Sequence, residues 1–197
     1  MLAAATVLLT LIAVTFQPVT FQPVTAANTA QPPQVFVRDA SAQAQAGDNA
    51  HDFGLRPPGD NDSDGAPLFN AHGDSIRSGL GVWRTAAGTA TFEPGPQGAT
   101  IVKAQFRGLI PNGRYSLFVR QLAGRTGTAF TPLDLVGATN NFTAGPDSKG
   151  EIVVSSPLQM PAGSTIVLVY HSDSTDHQSS IGVLGTNAHP QLITRVP

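Results

Sequence analysis

The stretch TIVKAQFRGLIPNGRYSLFVRQL, residues 100–122, decides the fold class. Val102, Ala104 and Phe106 alternate with Lys103, Gln105 and Arg107. A period of two with one wet face is the pattern of an antiparallel strand. Pro111, Asn112 and Gly113 follow as a turn signal, and Asn-Gly is the dipeptide that tight hairpins favour. Beyond the turn, Tyr115, Leu117 and Val119 share a face. The reading predicts that residues 115–122 pair back on residues 100–107, with Arg107 and Arg120 on the solvent side.

The same texture of short apolar runs between Gly, Pro, Asn and Asp extends in both directions. It predicts strands at residues 67–71, 81–84, 88–92, 152–155, 165–171 and 191–196, and an irregular connection over 124–148 that includes a short strand. Residues 166–169 show no polar alternation, which predicts a central strand covered on both faces. No amphipathic helix stands out. About seven or eight short strands at this spacing predict an all-β chain, an antiparallel β-sandwich with Greek-key connections, with an antiparallel barrel as the alternative.

A chain of 197 residues with 41% hydrophobic residues has material for one packed domain. That domain is expected over residues 66–197. Residues 27–65 are rich in Gln, Ala, Pro, Asp and Asn and are expected to form a low-complexity, unordered linker, in which only Val35, Phe36 and Val37 are apolar enough to dock. Residues 1–26 resemble a signal peptide. An apolar run over 2–16 has the length of its hydrophobic region, and Val24, Thr25, Ala26 and Ala27 offer small residues for cleavage. The basic start of such a peptide is missing, which points to an upstream start or an atypical signal. A tandem repeat, TFQPV at 15–19 and again at 20–24, carries no chemistry. Secretion or attachment to the cell envelope is the expected location, and the export segment the only contact with a membrane.

A net charge of -2 leaves no electrostatic footprint for nucleic acid. The absence of cysteine excludes disulfides, thiolate metal sites and cysteine nucleophiles. Asp60, Asp62, Asp64 and Gly65 have the alternation of a calcium loop, with hard oxygens at alternate positions and glycine at the bend. The twelfth position, Glu in an EF-hand, is Ala71, and Pro67 blocks a following helix, so the choice lies between a looser calcium loop and a solvated acidic linker.

Chemistry concentrates in IVLVYHSDSTDHQSSIGVLGTNAH, residues 166–189. His171 closes a strand, His177 lies in the loop and His189 opens the next strand. Imidazole is the commonest ligand for zinc and copper. His171, His177 and His189 are therefore candidate metal ligands, with Asp173, Asp176 or His72 assisting. The alternative is a structural hydrogen-bond cluster, since Asp and Ser also bond their own backbone in turns. A third reading is a small hydrolase using Ser172, Ser174, Ser179 or Ser180 beside these histidines, although no Gly-x-Ser-x-Gly elbow exists. No phosphate-binding glycine loop appears. Trp83, Tyr115 and Tyr170 are read either as core or as an aromatic binding face.

The run from Gly108 to Tyr115, together with Tyr170-His171-Ser172-Asp173 and the downstream Asn187-Ala188-His189-Pro190-Gln191, resembles a group of uncharacterised secreted bacterial and archaeal β-sandwich proteins across roughly residues 66–197. The turn between two alternating strands is also similar to that of the copper–zinc superoxide dismutase sandwich and the chordin-type domain. In the dismutases the strand after this turn carries a His-x-His pair that binds copper. Here Phe118 and Arg120 stand on that strand, and the cysteine pair is missing. The resemblance implies fold and export, and no dismutase activity. The expected function is a non-enzymatic binding or structural module.

Overall fold

A computed structural model describes residues 31–38, 65, 67–70, 72–122, 128–157 and 159–197. The strands are β1 (Gln34–Arg38), β2 (Pro67–Phe69), β3 (Ser75–Gly79), β4 (Ala87–Pro94), β5 (Thr100–Arg107), β6 (Arg114–Leu122), β7 (Thr128–Pro132), β8 (Asn141–Thr143), β9 (Gly150–Ser156), β10 (Thr165–His171) and β11 (Ala188–Arg195). A short helix, α1 (Leu80–Thr85), follows β3. Antiparallel pairing joins the strands in the order β7-β6-β10-β11-β1-β4-β5-β9, and β8 pairs with β6. Since β10 occupies one edge of β6 along Arg114–Arg120, β7 and β8 lie end to end on the other. β2 and β3 form a separate two-stranded sheet.

The chain is thus mostly β, and its main sheet curls. β1 makes the bend. Gln34, Val35 and Phe36 pair with β4, whereas Val37 and Arg38 pair with β11 on the opposite edge. Phe36, Val102, Phe106 and Val154 from one half of the sheet share a single buried cluster with Tyr115, Leu117, Leu168 and Leu192 from the other. An aromatic pair connects the halves: Phe106 of β5 stacks on Phe142 of β8 with centroids 5.6 Å apart, and within its own half Phe106 also meets Phe36 edge-on at 4.9 Å. Gly88 and Gly150 sit opposite Phe106 in register. A Cβ at Gly88 would strike the Phe106 ring, and one at Gly150 the Phe142 ring. The missing side chains make room for this contact.

β10 lies between β6 and β11. Ile166, Leu168 and Tyr170 join the central cluster, while Val167 and Val169 pack with Phe118 and Ala188 on the other face. The expected doubly covered central strand is what the structure has.

Three expectations are corrected. First, residues 100–107 and 115–122 are both strands, but they do not pair. β5 lies between β4 and β9, and β6 lies in the other half of the sheet. The Asn-Gly turn exists, with the Gly113 N–H donating to the Ile110 carbonyl at 2.9 Å. Yet Leu109 and Ile110 are buried in the core, so the connection crosses between the halves. The Ile110 N–H donates to the Tyr115 hydroxyl, 2.8 Å away, inside that crossing. Second, residues 81–84 are helical. Four residues are too few for periodicity to separate a turn of helix from a strand. Third, Val35–Val37, placed by sequence in the linker, belong to β1 at the bend of the sheet.

Full burial of an aliphatic side chain contributes about 1.5–3 kcal/mol, and truncation adds a cavity term. Leu168→Ala is expected to cost about 2–5 kcal/mol. Val183→Ala, at 60% exposure, is expected to stay within about 0.5 kcal/mol. Urea titration of both variants measures the difference. Equal midpoints would contradict the assignment of β10 as the buried centre.

Candidate functional site

Because β10 alternates, His171 points to the face opposite Tyr170, towards Arg114 and Ser116 of β6 and Asn141 and Thr143 of β8. Residues 172–187 fold over this face, and their Ile181 packs on the Val167–Val169 cluster. The polar groups caught beneath and within the loop bond one another. His171 Nε2 lies 2.9 Å from Ser116 Oγ, and His177 Nε2 lies 2.9 Å from Asp173 Oδ2. Asn187 Nδ2 donates to the same Asp173 oxygen at 2.8 Å, and Asn187 Oδ1 accepts from the Val183 N–H at 2.7 Å. Arg114 ties the loop to the sheet, donating to Asp176 at 2.6 Å, Asn141 at 2.9 Å and Thr143 at 3.0 Å.

A neighbouring loop, residues 133–140, buttresses this one. The Asp134 carboxylate accepts from the backbone N–H groups of Val136, Gly137 and Thr139 and from the Thr139 hydroxyl. Burial alone would raise the pKa of Asp134, but these four donors hold it below the ordinary 3.8. Gly137 has φ +79°, and a Cβ there would collide with the backbone of Gln178 and Ser179. Glycine is required by both the turn and the loop-to-loop contact.

His189 lies on the inner face. It pairs with Tyr170, their rings 6.1 Å apart, and its Nε2 is 2.9 Å from Ser172 Oγ. Burial first, and then His171, push its pKa down from 6.5 to about 4. Burial and the neighbouring His177 do the same to His171, also to about 4. Both imidazoles are therefore neutral at pH 7. Asp173 stays below 3.8. Burial pushes it up, but the Thr175 N–H, the His177 ring and Asn187 outweigh that.

The three loop histidines do not converge. His171 and His177 share the outer face, with ring centroids 5.2 Å apart, while His189 faces inward across the sheet backbone. Strand alternation separates His189 from them: β10 and β11 pair Tyr170 with His189 and His171 with Ala188. His72 sits exposed in the β2–β3 turn, with its N–H on Asn70. Among the described residues no group of three or more His, Asp or Glu is placed to hold a metal. Asp60, Asp62 and Asp64 lie outside the described residues.

Nor do the described residues assemble a hydrolytic triad. Ser116 and Ser172 each touch an imidazole, but both hydroxyls are buried, and the Nδ1 of His171 has no carboxylate partner. Ser174, Ser179 and Ser180 are exposed and make no imidazole contact among the described residues. Of the three aromatics, Tyr115 and Tyr170 belong to the core, and Trp83 packs edge-on against Tyr170 at 5.9 Å. An open groove of about 570 Å³ is lined by Thr89, Gln105, Arg107, Thr143, Lys149 and Glu151 among others, and of these Thr143 also accepts from Arg114.

Arg114, Ser116, Asn141 and Asp134 were not legible as site residues. Arg114, Ser116 and Asn141 meet partners distant in sequence, which only strand register brings together, whereas Asp134 bonds its own loop within five residues. Asn187 lies in the motif quoted above, but its role as a two-ended clamp depends on the fold. No protein-family model matches the chain, and no curated protein matches it.

Two outcomes follow. A histidine with a folded pKa of about 4 and an unfolded one of 6.5 binds its proton mainly in the unfolded state between those values. Stability is therefore complete above about pH 6.5 and falls as pH drops towards 4. Asp134 and Asp173, with depressed pKa values, add a further loss only below 3.8. Thermal melts from pH 8 to pH 3 test this, and a flat melting temperature between pH 6.5 and 4 would contradict the burial of these imidazoles. Gly137→Ala is expected to cost at least about 1–3 kcal/mol, through both backbone strain and the collision with Gln178. Chemical denaturation measures it, and a neutral result would contradict the loop packing.

Proposed function

We propose that the chain is a secreted or envelope-associated β-sandwich with Greek-key connections, a binding or structural module in which the histidine loop is a pin and not a reaction centre. One observation carries the reading: the Nε2 atoms of His171, His177 and His189 are each taken by a different internal partner, and His171 and His189 are buried. A buried imidazole bonded to a hydroxyl holds two segments together and offers nothing to a substrate.

The sandwich reading draws on the core shared by the two halves of the curled sheet and on the crossing at residues 108–113. Export draws on the apolar run at residues 2–16, the small residues after it and the lack of cysteine. The likeness to secreted β-sandwich proteins of bacteria and archaea points the same way. For the binding role, the groove beside Gln105, Arg107 and Glu151 has the size of a small-molecule site and a mixed-charge lining.

A second reading, a zinc or copper site in the histidine loop, is favoured by one feature. His171 Nδ1 is buried without a hydrogen-bond partner, and the His177 ring is its neighbour. Metal analysis separates the two. The full chain is incubated with zinc or copper, dialysed and assayed for bound metal. The pin predicts well under one equivalent. One equivalent that disappears in His177→Gln would replace the pin with the metal site.

A further inference from the structure

The two edges of the main sheet are unlike. On one, β7 and β8 span five and three residues, are separated by residues 133–140, and β7 ends in Pro132. A short, broken edge with a proline is a poor template for another strand. On the other, β9 runs for seven residues, GEIVVSS, and pairs with β5 in seven consecutive registers from Gly150 to Ser156 with no bulge. Among the described residues its far side carries no backbone hydrogen bond. It has no internal proline and one charge, Glu151, and Val153 at its centre is 63% exposed. Such a row of N–H and C=O groups recruits a strand unless something blocks it.

We propose that β9 pairs antiparallel with β9 of a second copy of the chain, about a two-fold axis through Val153. Residues opposite one another in an antiparallel pair share a face. Ile152, Val154 and Ser156 are buried, and Glu151, Val153 and Ser155 are exposed, so the register shifts only in steps that keep these sets apart. Centred on Val153, the pairing sets Val153 against itself, Ile152 against Val154, Glu151 against Ser155 and Gly150 against Ser156. Branched side chains meet branched side chains, and no like charges face each other. Centred on Ile152, it would press the Glu151 carboxylate against Val153. Centred on Val154, it would set Glu151 against Pro157, which has no N–H to donate. The strand is thus self-complementary in one register, the requirement of a two-fold interface. This is why a second copy, and not an unrelated strand, is its occupant.

Sedimentation velocity of the full chain at tens of micromolar is expected to show a dimer. Val153→Lys sets two like charges on directly opposing Cβ atoms about 4.5–5.5 Å apart and is expected to give a monomer with an unchanged far-ultraviolet spectrum, since the side chain is exposed. The chain contains no cysteine, so single cysteines report the register directly. Val153→Cys should form a covalent dimer under mild oxidation, because opposing Cβ atoms lie about 4.5–5.5 Å apart. Ser155→Cys, facing Glu151, should not. A monomeric wild-type chain, a dimer that survives Val153→Lys, or equal cross-linking of the two cysteine variants would each overturn the proposal.

Discussion

The burial of β10 on both faces is the constraint from which the rest of the structure follows. A strand reading Ile166-Val167-Leu168-Val169-Tyr170-His171 has no side for water. Its inner residues are satisfied when the sheet curls and the two halves share a core. Its outer residues need a second cover, and residues 172–187 supply it with Ile181. A cover of that length carries many polar groups into contact with the sheet, and each must find a partner or be penalised by about 1–3 kcal/mol. The network of Asp173, His177, Asn187, Asp176 and Arg114 answers that requirement. The histidine loop is polar because it is a loop, and internally bonded because it is also a lid on an apolar strand.

The curl depends on β1 in a comparable way. Five residues serve two neighbours, with one end bonded to β4 and the other to β11. Phe36 projects inward between them and meets Phe106, so the bend in the backbone is matched by an aromatic contact at the core. From there rings continue from Phe106 to Phe142, Tyr115, Tyr170 and Trp83, each pair within 6 Å. Glycine at 88 and 150 keeps that row accessible from the neighbouring strands. Burial also raises the pKa of Tyr115 well above 10, with the Ile110 N–H acting against it, so its hydroxyl remains neutral inside the crossing it stabilises.

The longer strands of residues 87–171 were legible, β1 and β3 were not, and neither was strand partnership. The ranges read for β5, β10 and β4 agree with the structure to within two residues, because alternation and full burial are local patterns that a strand imposes on its own sequence. The Asn112-Gly113 turn was legible too, but it does not close a hairpin. What decides this is the burial of Leu109 and Ile110, which commits the connection to the core. Likewise, residues 81–84 have a strand's composition, and yet they follow Gly79 as a single helical turn that sets Trp83 against Tyr170.

Residue order alone already implied a chain of short strands, with residues 166–169 at its centre and polar side chains collected in the loop after them. Those are consequences of period, composition and turn chemistry within a few residues. It took the folded arrangement to put His171 and His189 on opposite sides of the sheet, to bring Ser116 and Arg114 to the loop from β6, and to leave β9 at an edge. Each of these depends on strand register and order. Those are selected by the summed packing of residues on strands well separated in the chain and leave no local mark in the sequence.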